Sequence, residues 1–332
     1  MIAVRDLVKE FRVSKRRPGL KGALAGLVSR EESRVRALDG LSFEIGRGEL
    51  VGFIGPNGAG KSTTLKVLSG ILVPDSGQVL VGGRVPWKDR IAHVRRIGAV
   101  FGQRSQLWWD LPARESFDIL GAMYGVGRME LAASLDYLVG ALELGPLLDS
   151  PVRQLSLGQR MRCELAAALL HSPEILFLDE PSIGLDAQAK LAMRDIVRRL
   201  NAERGTTVIL TTHDMDDVEA LARRILLVGK GRLLFSGGMD ELRRVAREER
   251  RLVLDLQSAE RATELAAEPG RDPRLRLESR SGARVVLSYD HRALPTGELL
   301  ARLTARYPIA DLVVESEPVD RLIARLYGED RA

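Results

Sequence analysis

One nine-residue stretch, residues 55–63, constrains the fold of this chain more than any other part of its sequence. A glycine, four further residues and then Gly-Lys-Ser stand between an apolar run at 50–54 and a segment of helical spacing at 64–70. Such glycines let the backbone approach phosphates closely, and the amide groups at a helix N-terminus attract anions. Lys61 can reach the outer phosphates of a nucleotide, and Ser62 can bind Mg²⁺. The stretch therefore predicts a nucleotide-binding loop made of Gly55, Pro56, Asn57, Gly58, Ala59, Gly60, Lys61, Ser62 and Thr63.

The length of 332 residues predicts two domains, or one large domain with an appendage. The single cysteine, Cys163, excludes an internal disulfide, and we expect it to be a small buried side chain. No apolar run approaches the roughly 18–20 residues that cross a bilayer, and the N-terminus lacks the apolar core of a signal peptide. If the protein works at a membrane, we therefore expect another polypeptide to supply the spanning helices.

Short apolar runs of strand character alternate with helical segments before residue 242. The runs at 97–101, 175–178 and 208–212 are continuous, as in parallel strands covered on both faces. We expect an α/β fold with a mostly parallel core sheet, an antiparallel β subdomain and a helical subdomain at about 104–172. We interpret residues 1–242 as one domain and residues 243–332 as a small accessory α+β domain.

Four polar side chains stand where the predicted core strands end. Asp179 is placed to bind Mg²⁺ with Ser62, directly or through water. Glu180 follows it and could orient or deprotonate an attacking water. His213 could contact a γ-phosphate, and Gln103 could reach Mg²⁺ or the water. Because open α/β sheets bind ligands at the carboxyl ends of their strands, these residues predict a site for ATP hydrolysis.

A helix start at residues 155–160, Leu-Ser-Leu-Gly-Gln-Arg, is a second candidate phosphate contact, and we call it the signature segment. Ser156 is a good N-cap, and a helix N-terminus attracts phosphate, although a cap without a ligand is the alternative. Together with the loop 55–63, Gln103, the segment 175–180, Gly-Leu-Asp at 184–186 and His213, in the family's order, it resembles the ATPase subunits of ATP-binding cassette (ABC) transporters. The resemblance covers residues 1 to about 242.

The resemblance implies a P-loop NTPase cassette that uses ATP and Mg²⁺. It also implies a head-to-tail homodimer in which each ATP meets the loop 55–63 of one chain and the signature segment of the other. The residues it assigns are Glu180, His213 and Gln103 for catalysis, Ser62, Gln103 and Asp179 for the metal, Ser156, Leu157, Gly158 and Gln159 for the contact in trans, and Asp186 in the D-loop. We expect separately encoded transmembrane permease subunits as partners, at the cytoplasmic face of the plasma membrane.

Two features depart from the common family pattern. Leu157 stands where the family usually has glycine, and residues 15–34 replace a short turn. With the run at 101–111 and the C-terminal domain, they resemble a bacterial subgroup related to daunorubicin and viologen exporter ATPases, so we expect an exporter. The alternative is a soluble, non-transport ABC ATPase acting on nucleic acid or the ribosome. We expect no direct nucleic-acid binding, and a salt-dependent RNA or DNA binding assay distinguishes the two.

The sequence allows two or more interpretations of each of three further features. Phe11 could stack on the nucleotide base or be a half-buried strand residue. One of Trp108 and Trp109 could line the groove that receives a helix of the membrane subunit in this family, or both could pack inside the helical subdomain. The basic, amphipathic segment 15–34 could lie on a membrane surface, contact a partner or pack on the chain's own sheet.

Overall fold

The computed structural model describes residues 1–14, 32–102, 104–212, 214–245, 249–317 and 319–329. Most of the segment 15–34, together with Gln103 and His213, therefore lies outside the described residues. The chain divides into two compact units, Met1–Met239 and Asp240–Ala332. Of the helices in the described ranges, none has the length and apolar character that crossing a bilayer requires.

The first unit is built on two sheets. Its strands are β1 (Ile2–Ser14), β2 (Glu32–Ile45), β3 (Leu50–Ile54), β4 (Ser76–Val81), β5 (Ile97–Phe101), β6 (Ile175–Asp179), β7 (Thr207–Thr211), β8 (Arg224–Gly229) and β9 (Arg232–Gly237). The larger sheet has the order β5-β6-β7-β3-β8-β9 and is parallel except for β9, which pairs with β8 in the antiparallel sense. The smaller sheet, β2-β1-β4, is antiparallel. The predicted fold class, a mostly parallel core with an antiparallel part, is confirmed.

Helices cover the larger sheet and form the segment between β5 and β6. The α-helices of this unit are α1 (Lys61–Leu68), α2 (Arg90–Val94), α3 (Ala113–Tyr124), α4 (Arg128–Ala141), α5 (Leu157–Leu169), α6 (Ala187–Arg204) and α7 (Met215–Leu221), and α8 (Met239–Val245) follows at the division between the units. Helices α3, α4 and α5 lie within the range where helical spacing predicts a helical subdomain.

The central strands are buried on both faces, because side chains alternate between two cores. Leu176 and Leu178 of β6 face a core shared with helices α3 to α6. Phe177, between them, faces a second core shared with α1 and the antiparallel sheet. This double burial explains why β3, β6 and β7 read as continuous apolar runs. It also places the carboxyl ends of these strands at one edge of the sheet.

The second unit has a split β-α-β topology. It contains β10 (Arg250–Leu256), α9 (Ala259–Ala266), β11 (Leu275–Ser281), β12 (Arg284–Tyr289), α10 (Thr296–Arg306), β13 (Ile309–Ser316) and α11 (Val319–Glu329). The strands pair antiparallel in the order β11-β12-β10-β13, the arrangement of ferredoxin-like domains. Leu252 and Leu254 of β10 pack with Leu299 and Leu303 of α10. The α+β character of this part of the chain agrees with the prediction, although helix α9 was not predicted.

Candidate functional site

The loop 55–63 connects β3 to α1 and depends on glycine at defined positions. Gly58 and Gly60 have φ angles of 80° and 107°, in the left-handed region that favours glycine. A Cβ atom on Gly60 would lie 2.7 Å from both the Ala37 carbonyl oxygen and Leu38 Cδ2. The amide of Ala59 donates to Pro56 O at 3.1 Å, which closes the turn. The loop therefore curves tightly at the N-terminus of α1, as the sequence predicts.

Lys61 lies inside this curve. The residue is 6% exposed, and its Nζ donates to the carbonyl oxygens of Gly55 at 2.6 Å and Pro56 at 3.2 Å. Burial lowers the pKa of the ammonium, while the nearby carboxylates of Glu180 and Asp179 act in the opposite direction. A buried cation at a helix N-terminus is suited to phosphate oxygens, which would supply the negative charge that two carbonyls lack.

Three oxygen-bearing side chains meet beside the loop. Ser62 Oγ donates to Asp179 Oδ1 at 3.2 Å, and Thr211 Oγ1 donates to the same carboxylate oxygen at 2.6 Å. Asp179 ends β6 and Thr211 ends β7, so the parallel register brings the two together. Thr211 was not predicted as a site residue. It could have been found from the sequence, because it is a polar residue that ends a buried strand two positions before His213.

The donor set fits Mg²⁺ better than a transition metal. Ser62 and Asp179 offer only oxygen, the ligand that hard cations prefer. Within the described residues, no group of three or more His, Cys, Asp or Glu side chains could hold a metal by itself. Mg²⁺ usually takes only one or two protein ligands and completes its shell with water and substrate phosphates. Gln103, the third predicted ligand, is outside the described residues.

Glu180 has an unusual backbone conformation. Its φ angle is 55°, which few residues other than glycine adopt. The conformation is fixed from two sides. The Glu180 amide donates to Thr211 O at 3.0 Å and Thr211 Oγ1 at 3.1 Å. Gly102 approaches so closely that a Cβ atom there would lie 2.6 Å from Glu180 O. Strain of this kind, held by surrounding contacts, is common at functional sites.

Ser62, Asp179 and Glu180 line one cavity of about 560 Å³, which we call the nucleotide cavity. Its described lining residues are Asn57, Ser62, Lys66, Ile71, Phe101, Gly102, Arg104, Asp179, Glu180 and Ile183. The fold thus brings together the loop, Asp179 and Glu180, as the sequence predicts. Gly102 and Arg104 flank Gln103 in the sequence, so the chain on both sides of that residue borders the cavity.

The signature segment lies at the N-terminus of α5. Ser156 and Gln159 form a capping box: Ser156 Oγ accepts from the Gln159 amide at 3.3 Å, and Gln159 Oε1 accepts from the Ser156 amide at 2.9 Å. Gly158 packs on Ala189, where a Cβ atom on the glycine would lie 3.0 Å from Ala189 Cβ. None of the described lining residues of the nucleotide cavity comes from this segment. Ser156 therefore caps α5 and is not one of the described residues that line the cavity of its own chain.

The D-loop, residues 184–186, packs against the signature segment. Leu157, 37% exposed, lies against Gly184, since a Cβ atom on that glycine would be 2.6 Å from Leu157 Cδ2. Asp186 caps α6 by accepting from the Ala189 amide at 2.8 Å. The leucine that departs from the family pattern thus has a defined contact within its own chain.

The aromatic candidates have different environments. Phe11 is 36% exposed, lies opposite Val35 in the antiparallel sheet and has Lys9 Nζ 5.8 Å from its ring centroid. Trp109 is exposed, and the Arg160 guanidinium lies 5.6 Å from its ring, so it contacts the signature segment.

Cys163 is buried, which raises the pKa of its thiol to about 12 and keeps it protonated.

Comparison with known proteins agrees with this geometry. The family described as "ABC transporter" matches residues 38–183. The daunorubicin resistance ATP-binding protein DrrA3 of Streptomyces coeruleorubidus is 34% identical over 89% of this chain and 92% of that protein. The Nod factor export ATP-binding protein I of Burkholderia thailandensis is 35% identical over 81% of this chain and 92% of that protein. The linearmycin resistance ATP-binding protein LnrL of Bacillus subtilis is 36% identical over 61% of this chain and 65% of that protein.

Solved structures give the same answer. CbiO1 from Clostridium perfringens, described as part of an ABC transporter complex, matches with a TM-score of 0.59 and 26% identity over 74% of this chain and 92% of that chain. A structure described as the ATP binding subunit of an ABC transporter matches with a TM-score of 0.61 and 25% identity over the same shares. Both likenesses concern the cassette rather than the whole chain. The chain belongs to the ATP-binding proteins of ABC transporters, and it is a transporter subunit that hydrolyses ATP.

Proposed function

We propose that the protein works as a head-to-tail homodimer that drives an exporter. Each ATP lies between the loop 55–63 of one protomer and the signature segment of the other. The observation that carries this proposal is that the signature segment contributes none of the described lining residues of its own chain's nucleotide cavity. Asp179 and Glu180 line the nucleotide cavity, whereas Ser156, which can bind phosphate through the N-terminus of α5, does not.

Within such a site, Lys61 binds the outer phosphates and the loop amides surround them. Mg²⁺ held by Ser62 and Asp179, with Gln103, would neutralise part of the phosphate charge. We assign His213 to the γ-phosphate, by resemblance to the family. Phe11, near the C-terminal end of the central strand β1 of the antiparallel sheet, is exposed enough to stack on the base.

Glu180 is our candidate for the residue that activates water. Water oxygen bonds to the γ-phosphorus, the bond from that phosphorus to the oxygen of the departing ADP breaks, and the Glu180 carboxylate takes a proton from the water. The left-handed backbone at Glu180 fixes the direction in which its side chain leaves β6. The products, ADP and phosphate, favour separation of the protomers, because ATP is what joins the two half-sites.

Export rather than import is proposed from the relatives. A Nod factor export protein and two antibiotic resistance proteins are similar over 61% or more of this chain. We infer the same direction of transport here, with separately encoded transmembrane subunits and a place at the cytoplasmic face of the plasma membrane. Residues 1–242 would form the nucleotide-binding domain and residues 243–332 an accessory domain.

An apolar groove of about 300 Å³ between α2 and α3 is our candidate docking site for a helix of the membrane subunit. Ile91 is 74% exposed and Met123 is 69% exposed, and Arg90 and Arg95 border the same groove. An amphipathic helix with an apolar face and acidic edges fits this surface. Neither tryptophan is among the groove's described lining residues, so we favour Ile91 and Met123 as the contacts.

A mixing experiment tests the composite site. Lys61→Ala removes the loop contact, and Ser156→Arg places a bulky cation in the signature segment. Each variant alone should be inactive. A one-to-one mixture should recover about a quarter of wild-type turnover, since random pairing makes about half of the dimers mixed and each mixed dimer has one intact site. A mixture as inactive as its components, with both variants folded, would show that one chain holds the complete site.

Copurification of the membrane subunit tests the proposed docking groove. Ile91→Glu and Met123→Glu should reduce copurification of the membrane subunit while ATP binding stays normal. Trp108→Ala serves as the comparison. Loss of the partner with Trp108→Ala alone would move the docking site to the tryptophan segment.

A further inference from the structure

Helix α5, which begins in the signature segment and which we call the signature helix, carries a deeply buried carboxylate. Glu164, in the middle of α5, is 3% exposed. Its Oε2 accepts from the Gln106 amide at 3.0 Å, and its Oε1 accepts from the Ser105 hydroxyl. Burying a carboxylate costs free energy unless its oxygens are hydrogen-bonded, so these contacts are what make the position tenable. Both partners belong to the chain just after Gln103.

The same segment is held from its other side. Gln106 Nε2 donates to the carbonyl oxygen of Ala99 in β5 at 2.7 Å. Ser105 Oγ in turn accepts from the Leu107 amide at 3.1 Å. Residues 105–107 are therefore attached to β5 through one side chain and to α5 through another. Arg104, the residue before them, lines the nucleotide cavity.

Helix α5 is also fixed directly to β5. Gly98 allows an unusually close approach, since a Cβ atom there would lie 2.3 Å from the Ala168 carbonyl oxygen. Just after α5, His171 Nε2 is 2.8 Å from the carbonyl oxygen of Ile97. The C-terminal half of the helix is thus attached to the strand that leads to Gln103, and Glu164 attaches the residues that follow Gln103.

We propose that Glu164 is a positioning residue that joins the signature helix to the chain that directly follows Gln103. The inference rests on the proposed composite sites. In that arrangement, Arg104 borders the ATP bound by its own protomer, while Ser156 meets the ATP bound by the partner. Glu164 touches neither nucleotide. It transmits a shift of residues 104–107 to Ser156, so that one protomer responds as a unit to both ATP molecules.

The test uses four forms of the full-length protein besides wild type. Glu164→Gln keeps the side-chain shape but removes the charge that receives both donors. Ser105→Ala removes one donor at an exposed position. The third form is the double variant. Glu174→Gln is the control, because Glu174 also accepts two hydrogen bonds, but from Arg96, at 2.7 and 2.8 Å, and not from residues 105 and 106.

Folding is expected to survive these changes. Burial raises the pKa of Glu164, and the hydrogen bonds from Ser105 and the backbone offset this effect only in part. We therefore expect a neutral amide of the same shape to be tolerated at this position. Ser105→Ala keeps the test decisive if Glu164→Gln does not fold.

Steady-state ATPase rates are measured against ATP and protein concentration, together with ATP affinity by binding of a fluorescent ATP analogue. We expect Glu164→Gln and Ser105→Ala each to lower kcat by roughly 2- to 30-fold, the usual range for coupling residues, with ATP affinity unchanged. The double variant should lose no more than Glu164→Gln alone, because both changes break one connection. The Glu174→Gln control should keep the wild-type kcat.

Three results would overturn the inference: an unchanged kcat in Glu164→Gln, single losses that multiply in the double variant, or equal losses in the Glu174→Gln control. Failure of the composite site is distinguishable from these. A one-to-one mixture of Lys61→Ala and Ser156→Arg that stays inactive, with both variants folded, would refute the composite site, whatever the Glu164 variants do. An active mixture together with a fully active Glu164→Gln would refute only the role of Glu164.

Discussion

The side chain of Leu157 lies directly against Gly184, joining the signature segment to the D-loop within one chain. Gly184 also has a φ angle of 72°, so two properties exclude larger residues there. A side chain at this glycine would meet Leu157 Cδ2 and would have to adopt a left-handed backbone. The Leu157 side chain therefore occupies the space that a substituent on Gly184 would need.

We predict that Gly184→Ala lowers both stability and ATPase activity, by roughly 1–3 kcal/mol in the free energy of unfolding. Leu157→Ala should restore part of the loss when combined with it, because the clash is removed and only the backbone cost remains. Gly205→Ala is the control, since Gly205 has a φ angle of 62° but a Cβ atom there would meet no neighbouring atom within 4 Å. Denaturant unfolding and phosphate release measure the effects. If the two glycine variants behave alike, the Leu157 contact has no influence.

Glu180→Gln should bind ATP but hydrolyse it about 10²- to 10⁴-fold more slowly, because the amide cannot accept the proton of water. Its ATP-dependent dimer should last longer than that of wild type. Size-exclusion chromatography with ATP and a phosphate-release assay measure the two properties. Wild-type turnover in this variant would assign water activation to another residue.

Thr211→Val should raise the Mg²⁺ concentration that turnover requires while changing the fold little. The variant removes the hydroxyl that donates to Asp179 Oδ1, so the carboxylate loses its fixed orientation. We expect the Mg²⁺ concentration for half-maximal ATPase activity to rise about tenfold or more. Thr207→Val, on the same strand, is the control, because its hydroxyl instead accepts from the Gly48 amide at 2.9 Å. A Mg²⁺ requirement equal in both variants would contradict the role of Thr211.

Stability should fall on mild acidification, partly because of His171. Burial lowers the pKa of this imidazole below 6.5, although its bond to Ile97 O acts in the opposite direction. Protonation would add a proton at Nδ1, which is buried and has no hydrogen-bond partner. The unfolded chain therefore binds the proton more readily, and stability is lost as the pH falls through 6.5 towards the folded pKa.

His171→Phe keeps a ring that can stack on Tyr124, whose centroid lies 3.9 Å from that of His171, but it cannot be protonated. Its melting temperature should change less between pH 7.5 and about 5 than that of wild type. Thermal unfolding followed by circular dichroism provides the comparison. Identical pH slopes would assign the acid sensitivity to other groups, such as His93, whose pKa is also lowered by burial.

Motifs that are contiguous in the chain could be predicted from the sequence. The loop 55–63 and Asp179-Glu180 combine a local pattern with a strand end, and parallel strands bring such ends together. Buried apolar runs likewise indicated the fold class, because double burial removes polar residues from β3, β6 and β7.

Contacts between distant residues could not be predicted. Glu164 and Ser105 are 59 positions apart, and nothing in a helical apolar pattern distinguishes a glutamate that is buried from one that is solvated. The contact of Leu157 with Gly184 and the stacking of Arg160 on Trp109 depend in the same way on how α5 packs. Helix α9 was not predicted, although its buried residues Ala262 and Leu265 have the i, i+3 spacing of one helix face.

Because Glu180 has a left-handed backbone, the direction of its side chain and the chemistry of its carboxylate are set by different parts of the residue. The main chain, held by Thr211 and Gly102, decides where a side chain at 180 points, so Gln or Asp substituted there would inherit that direction. Acidity, length and charge can therefore be varied one at a time at constant geometry. Gly102 allows the reverse experiment. A methyl group added there would meet Glu180 O and shift the carboxylate, while the catalytic side chains stay chemically unchanged.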